Sequence, residues 1–169
     1  MSEDSGSIFD FDAAEGPIDV VQSLAEHNAW TFDRLDEDQI AMEIAGQWHT
    51  YTITLACAHH ESTLRLVCAF DVSPSQETLP AFYETLNLIN NQCWFGSFVY
   101  WEEPQMVIWR SAVDLPEYTC LDSRQVEIML GRTIASCDRF YPCLQLILWG
   151  RYTPEEAMQV GISEAYGRA

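Results

Sequence analysis

Residues 97–110 read SFVYWEEPQMVIWR, and this stretch decides the fold because it predicts a β-hairpin that is apolar on both faces. Glu102–Gln105 supply the loop, and apolar residues fill both arms. Side chains alternate between the two faces of a strand, so a strand with one wet face alternates apolar and polar residues. One face of this hairpin therefore covers the chain's own core. The second face needs cover from another element, a second copy or a partner.

The position of the loop fixes which hairpin residues share a face. The pairs are Trp101 with Met106 and Val99 with Ile108 on one face, and Phe98 with Trp109 and Tyr100 with Val107 on the other. A tryptophan side chain buries about 150–250 Å², which is roughly 4–6 kcal/mol of transfer free energy, so leaving two of them exposed is unfavourable. Tryptophan is also a frequent anchor of protein interfaces. We therefore expect a protein interface among Phe98, Val99, Tyr100, Trp101, Met106, Ile108 and Trp109, with the choice of face left open.

Hydrophobic periodicity places helices and strands on both sides of the hairpin. The apolar stripes predict helices at 17–28, 79–94, 122–149 and 153–166, and strands at 32–35, 40–44, 48–57 and 64–70. Pro142 is expected to kink or break the third helix. The order α-ββββ-α-ββ-α-α, with short turns between strands, predicts an α+β fold in which helices pack on one face of an antiparallel sheet.

Composition limits the class of protein. The chain has 169 residues, of which 48% are hydrophobic, and it carries 26 acidic side chains against 8 basic ones, for a net charge of −18. All the basic residues are arginine. Such a field repels phosphate backbones and anionic lipid headgroups, so binding to nucleic acid or to a membrane surface is disfavoured. The charge is typical of a highly soluble protein, or of one with a basic partner.

The acidic character is marked at residues 1–16, which we expect to be a flexible acidic tail ahead of one α+β domain at 17–169. Ile8, Phe9 and Phe11 leave a short docking element open as an alternative, and the favoured interpretation is an unanchored tail. The sequence shows no signal peptide and no apolar run long enough to span a membrane. We therefore expect a cytoplasmic protein whose six cysteines are reduced thiols.

One cluster has the chemistry of a metal site: His59, His60 and Glu61, with Cys57 nearby. Adjacent histidines point in different directions, and the sequence has no spaced second pair of ligands. Cys68 is too distant, because a hairpin centred on this loop offsets it from Cys57 by four residues, or about 13 Å along the strand. We therefore expect a solvated loop, with no metal and no cofactor.

Catalytic motifs are absent from the sequence. There is no G-x-S-x-G nucleophile elbow, no glycine-rich phosphate loop and no cysteine in a recognised Cys/His context. The acidic pairs fall in predicted turns, where carboxylates are solvated. We therefore expect a protein that is not an enzyme and has no catalytic residues. A metal-assisted enzyme that uses His59 and His60 is the weaker alternative.

Three stretches are long and specific enough to indicate a family. They read PIDVVQSLAEHNAWTFDRLDEDQIAMEIAGQW at 17–48, YETLNLINNQCWFG at 83–96 and RFYPCLQLILWGRYTPEEAMQVGISEAYGRA at 139–169. Together they resemble the YbjN family of bacterial proteins, over nearly the whole chain after residue 16. That family is described as sensory transduction regulators, and its fold is similar to the type III secretion chaperones, which tend to form homodimers and bind other proteins. The resemblance implies a non-enzymatic, protein-binding regulator, and it transfers no catalytic residue.

These expectations combine into one hypothesis with an open alternative. We expect a homodimer that binds an unidentified protein partner or client, as a regulator or chaperone-like adaptor. A small-ligand sensor is the alternative, with a pocket between the sheet and the kinked helix around Tyr141 and Pro142. The last helix, within Gly150–Ala169, extends beyond the chaperone core that the resemblance implies.

Overall fold

The computed structural model describes residues 16–58, 62–115 and 121–166. Within these ranges the elements follow the predicted order, which confirms the α+β fold. The helices are α1 (Pro17–His27), α2 (Leu79–Asn90), α3 (Ser123–Leu148) and α4 (Pro154–Tyr166). The strands are β1 (Thr31–Asp36), β2 (Gln39–Ala45), β3 (Thr50–Ala58), β4 (Thr63–Asp71), β5 (Ser97–Trp101) and β6 (Met106–Asp114). Among the described helices, none combines the length and the apolar content that crossing a membrane requires.

Local hydrogen bonds fix where the last two helices begin. The backbone N–H of Asp122 donates to Gln125 Oε1 at 3.3 Å, and the Asp122 carboxylate accepts from the Arg124 N–H at 3.1 Å. Before α4, the Thr153 N–H donates to the Glu156 carboxylate at 2.9 Å, and the Glu156 N–H donates to Thr153 Oγ1 at 3.3 Å. These bonds satisfy backbone N–H groups that have no partner inside the helix, and they confirm both predicted helix starts.

The strands form one antiparallel sheet in the order β1-β2-β3-β4-β6-β5. β6 therefore lies between β4 and β5, and the edges of the sheet are β1 and β5. The hairpin has the predicted register, with Trp101 opposite Met106 and Phe98 opposite Trp109. Because register fixes the face on which each side chain lies, the structure confirms which hairpin residues share a face.

The core lies on one face of the sheet, under the helices. In β3 the side chains of Tyr51, Ile53 and Leu55 are buried, whereas Thr50 and Thr52 between them are exposed. The buried positions of β2, β4 and β6 join the same cluster as the inner sides of the helices. This alternation is the one expected of an antiparallel sheet with a single covered side. We call the two sides the covered face and the open face.

An aspartate on α3 anchors the turn between β2 and β3. The Asp138 carboxylate accepts from the Gln47 N–H at 3.0 and 2.9 Å and from the Tyr51 hydroxyl at 2.9 Å. Gly46 makes room for this contact, because a Cβ there would collide with the Tyr51 ring and the Asp138 carboxylate. Burial, and then the hydrogen bond to Asp138, raise the pKa of Tyr51. These contacts tie α3 to the turn between β2 and β3.

Two helices differ from the sequence prediction. α2 ends at Asn90 and not near Trp94. Asparagine is a weak helix former. Trp94 is 89% exposed, so extending the helix to Trp94 would not bury its side chain. Pro142 was predicted to kink or break the third helix, and of these two outcomes the break does not occur, because α3 continues through Pro142 to Leu148. Buried Phe140 on one side of the proline holds the helix on the core.

Candidate protein interface on the open sheet face

The structure divides the predicted interface residues between the two faces of the sheet. Phe98, Tyr100 and Trp109 lie on the covered face and are buried. The Trp109 ring packs against the Phe98 ring with 4.9 Å between centroids, and its Nε1 donates to Thr133 Oγ1 at 3.2 Å. These side chains are part of the intramolecular core, so they offer nothing to a partner.

The other predicted residues, Val99, Trp101, Met106 and Ile108, lie on the open face. No helix in the described part of the chain packs there, because the core cluster draws its sheet residues from the covered face. Trp101 is 46% exposed, and Val99 and Met106 are half-buried. Ile108 is only 1% exposed although it is not part of the core cluster. The hairpin therefore presents an apolar surface on the side that the helices leave free.

Neighbouring β4 widens this surface. Ala69 lies opposite Ile108, and Val67 lies opposite Arg110. We call the combined surface the open-face patch, and its members are Val67, Ala69, Val99, Trp101, Met106 and Ile108. Three cross-strand rows run through it, named by one member each: the Trp101 row (Asp71, Met106, Trp101), the Ile108 row (Ala69, Ile108, Val99) and the Arg110 row (Val67, Arg110, Ser97).

Charges of both signs border the open-face patch. Arg110 and Arg65 lie on neighbouring strands of the open face, and Asp71 lies four register positions from Arg110 along β4. Asp71 and Arg110 form no ion pair in the described structure, where Arg110 Nε instead donates to Ser97 Oγ at 3.4 Å.

Aromatic side chains pack against one another around Tyr141, where the sequence analysis placed the alternative ligand pocket. The Tyr141 ring stacks on His49 with 5.7 Å between centroids and lies 5.9 Å from the Phe70 ring. The structure has a groove elsewhere, of 590 Å³, between residues 92–95 and α3. We call it the Trp94 groove. Its lining includes Trp94, Phe95, Arg132, Asp138 and Arg139.

Sequence reasoning missed the Trp94 groove. The prediction extended α2 to Trp94 and so placed this side chain at the end of the helix. The run of asparagines at 90–91, followed by Trp-Phe-Gly at 94–96, was the signal available, because asparagine and glycine end helices. Because Trp94 and Phe95 follow the end of α2, their side chains do not lie on a face of that helix.

The residues considered for a metal site lie mostly at 59–61, outside the described residues. Cys57 is half-buried at the end of β3, and burial raises the pKa of its thiol. Cys68 lies opposite Ile53, in the predicted register. Within the described ranges, no three histidine, cysteine, aspartate or glutamate side chains converge as a metal ion would require.

Comparison with known proteins gives one family match. Residues 17–146, more than half of the chain, match the YbjN family, described as "Putative bacterial sensory transduction regulator". A solved structure described as "YbjN, a putative transcription regulator from E. coli" has 11% sequence identity and a TM-score of 0.48, covering 89% of this chain and 92% of that one. No curated protein matches. The protein therefore belongs to the YbjN family.

Proposed function

We propose that this protein is a cytoplasmic, non-enzymatic regulator that acts by binding proteins, and that it forms a homodimer through the open-face patch. The observation that carries the proposal is the apolar surface around Trp101, which is 46% exposed on a sheet face that no described helix covers. Contiguous exposed apolar surface on a folded domain marks an interaction site. Membership of a family described as regulators supports the same reading.

The arrangement of charge favours a second copy as the occupant of the patch. A two-fold interface brings the same surface together from both subunits, so that surface must be self-complementary. The Ile108 row lies in the middle, with the Trp101 row on one side and the Arg110 row on the other. A two-fold axis along the Ile108 row therefore places Arg110 of each copy over the Trp101 row of the other, beside its Asp71.

Burial of Trp101 supplies the apolar part of this contact. Covering the exposed half of the indole removes about 100 Å² from water, which contributes roughly 2–3 kcal/mol per copy. Arg110 adds a planar guanidinium that stacks on an aromatic ring and pairs with a carboxylate. Two sheets stacked face to face lie about 10 Å apart, a spacing that interdigitating side chains of this size fill.

A charge-reversal cycle tests the arrangement. Arg110→Asp and Asp71→Arg each bring like charges together in the proposed dimer, so each is expected to raise the dimer dissociation constant about tenfold or more. Sedimentation velocity measures that constant. The double variant again places opposite charges together and is expected to recover most of the affinity. Arg151→Asp, at an exposed position away from the sheet, is the matched control because it changes the net charge as Arg110→Asp does.

Two outcomes would contradict the proposal. If the single variants dimerise as tightly as the wild type, or if the double variant recovers nothing, the two-fold arrangement is wrong. If the wild type stays monomeric at every concentration while the patch captures a different protein, the occupant is a client and not a second copy.

A further inference from the structure

The last residues of β6 have a neighbouring strand on one side only, within the described part of the chain. β6 runs from Met106 to Asp114, and all nine of its residues pair with β4. β5 is shorter, and its pairing with β6 ends at Arg110, opposite Ser97. The residues Ser111–Asp114 therefore form a free edge that continues the line of β5. We call them the β6 half-edge.

The hydrogen bonds of Asn90 show which backbone groups point outward from the β6 half-edge. Asn90 binds both the N–H and the carbonyl of Phe98, so these two groups point away from β6. Trp109, opposite Phe98, therefore turns its own groups toward β4. Because the direction alternates along a regular strand, the N–H and carbonyl of Ala112 and of Asp114 point to the free side. No backbone hydrogen bond of the described residues occupies them.

A pocket of 320 Å³ lies beside the half-edge, between β6 and α3. We call it the β6 pocket. Its lining is mainly apolar and includes Val113, Ile128 and Met129, and Ile128 is 44% exposed. Arg132 is the one charged side chain among the described residues that line it, and that lining contains no carboxylate. Sheet edges bind extended peptides by such an arrangement, in which free backbone groups give affinity and a neighbouring pocket takes a side chain.

Two polar groups lie at the end of the β6 pocket that is nearest to β5. The Arg132 guanidinium lies 3.8 Å from the centre of the ring of Phe95, just before β5, and no carboxylate among the described residues forms an ion pair with it. Ser111 Oγ is buried and has no hydrogen-bond partner in the described structure. A carboxylate accepts hydrogen bonds from both kinds of group. Asp114, at the other end of the half-edge, points its side chain to the open face.

We infer that the β6 half-edge binds the C-terminal segment of a protein partner, which adds to the sheet as a strand antiparallel to β6. Such a strand runs toward Gly96, where the protein's own chain blocks the way, because a Cβ at Gly96 would lie 2.6 Å from the Arg110 carbonyl oxygen. The incoming chain must therefore end or turn away at this point. A chain that ends there places its terminal carboxylate beside Arg132. The inference rests on the protein-binding part of the proposed function and not on the homodimer.

The register predicts the form of the bound segment. Its last residue lies opposite Ala112 and forms backbone hydrogen bonds with it, which places the carboxylate near Ser111. The residue before it lies opposite Val113. Val113 packs against the core on the covered face, so the side chain opposite it also lies on that face and enters the β6 pocket. The predicted ligand is a chain with an apolar penultimate residue and a free C-terminal carboxylate.

The test is an affinity selection by the full-length protein from a pool of random hexapeptides with free C-termini, read by mass spectrometry. Peptides with an apolar penultimate residue are expected to be captured. The same peptides with an amidated C-terminus are expected to bind about tenfold more weakly in fluorescence anisotropy, which corresponds to about 1.4 kcal/mol. Arg132→Glu is expected to abolish this preference for the acid. Arg151→Glu makes the same charge change at an exposed position outside the pocket lining and is expected to retain it.

Two further variants test the backbone pairing and the pocket separately. Ala112→Pro removes an outward N–H, a change that edge strands tolerate, and is expected to weaken binding of the captured peptides about tenfold. Ile128→Asp places a carboxylate at the exposed rim of the pocket and is expected to remove the selection for an apolar penultimate residue. Because Ile128 lies on the helix surface, this variant tests the site even if Ala112→Pro does not fold.

Capture of no peptide, equal binding of acids and amides, or unchanged selection by Ile128→Asp would each overturn the inference. The selection is repeated with Trp101→Asp, which leaves the half-edge intact. Selection retained in that variant supports the half-edge whatever the fate of the dimer proposal. Selection that is lost in Trp101→Asp but kept in Arg132→Glu and Ile128→Asp would place the peptide on the open-face patch. That result would overturn this site and leave the protein-binding function standing.

Discussion

The side-chain amide of Asn90 pairs with the backbone of Phe98 on both sides: its Nδ2 donates to the Phe98 carbonyl at 2.9 Å, and its Oδ1 accepts from the Phe98 N–H at 2.7 Å. β5 is an edge of the sheet, and an edge strand offers its unpaired backbone groups as a template for another chain. Asn90 occupies the groups that an added strand would need at this point. Asn90 therefore blocks the addition of a strand at this point of the β5 edge.

Removing that amide is expected to destabilise the fold and open the edge. Asn90→Ala leaves two backbone groups of Phe98 without partners, so we expect a loss of about 1–3 kcal/mol in the free energy of unfolding and faster aggregation. Urea unfolding and light scattering measure the two effects. Asn91→Ala is the control, because the Asn91 side chain is exposed and makes no described hydrogen bond. Equal stability and equal aggregation in both variants would contradict the edge-closing role of Asn90.

Two helical glycines are expected to respond to the same substitution with opposite sign. A Cβ at Gly161 in α4 would collide with Cys143 Sγ and lie 2.8 Å from the Cys143 backbone nitrogen. Gly161→Ala must therefore push α4 away from α3, and we expect a loss of about 1–3 kcal/mol. Gly131→Ala meets no atom within 4 Å on the surface of α3, so we expect a gain of about 0.5–1 kcal/mol from helix propensity. Urea unfolding measures both changes. If the free energy of unfolding changes in the same direction in the two variants, α3 and α4 are not in this contact.

The turn held by Asp138 is expected to depend on its carboxylate. Asp138→Ala leaves the Gln47 N–H and the Tyr51 hydroxyl without their acceptor. Hydrogen bonds to a charged group contribute about 1.5–3 kcal/mol, so we expect a loss in that range for this half-buried site. Tyr51→Phe is expected to lower the free energy of unfolding less in the Asp138→Ala variant than in the wild type, because the Tyr51 hydroxyl of that variant has already lost its partner. Fully additive effects in a double-mutant cycle would mean that the two residues are not coupled.

Alkaline stability should report the raised pKa of Tyr51. Burial first, and the hydrogen bond to Asp138 second, keep this phenol protonated in the folded state. An unfolded tyrosine loses its proton near about pH 10, so above that pH the unfolded state binds fewer protons and stability falls as pH rises, by about 1.4 kcal/mol per unit for one group. Tyr51→Phe removes this contribution and is expected to flatten the decline of unfolding free energy above about pH 10. An equal slope in both proteins would show that Tyr51 ionises normally in the fold.

The hairpin shows which features of the fold local sequence predicts and which it does not. Alternation was sufficient to place Trp101 and Trp109 on opposite faces, because the period of a strand is set by its backbone. Which of them the helices would cover was not readable, since both faces of the hairpin are apolar. That outcome follows from the pairing of β6 with β4, which sets Trp109 beside Cys68 on the covered face. Such long-range pairing has no local signature.

The Trp94 groove shows a second limit. Arg132 and Phe95 meet at 3.8 Å although they are distant in sequence. Periodicity correctly marked the apolar stripe of α3 that faces the sheet, but Arg132 lies on its exposed side, where charged residues are ordinary. Only the packing of α2 and α3 brings these exposed side chains into one groove.

The most direct measurement of the central claim compares the self-association of two tryptophan variants. Trp101→Asp and Trp94→Asp both replace an exposed tryptophan by aspartate, but only Trp101 lies in the open-face patch. In sedimentation velocity at matched concentrations, we predict dimers for the wild type and Trp94→Asp. For Trp101→Asp we predict monomers with an unchanged far-ultraviolet circular dichroism spectrum. Dimers of equal affinity in both variants would contradict a homodimer closed by the open face.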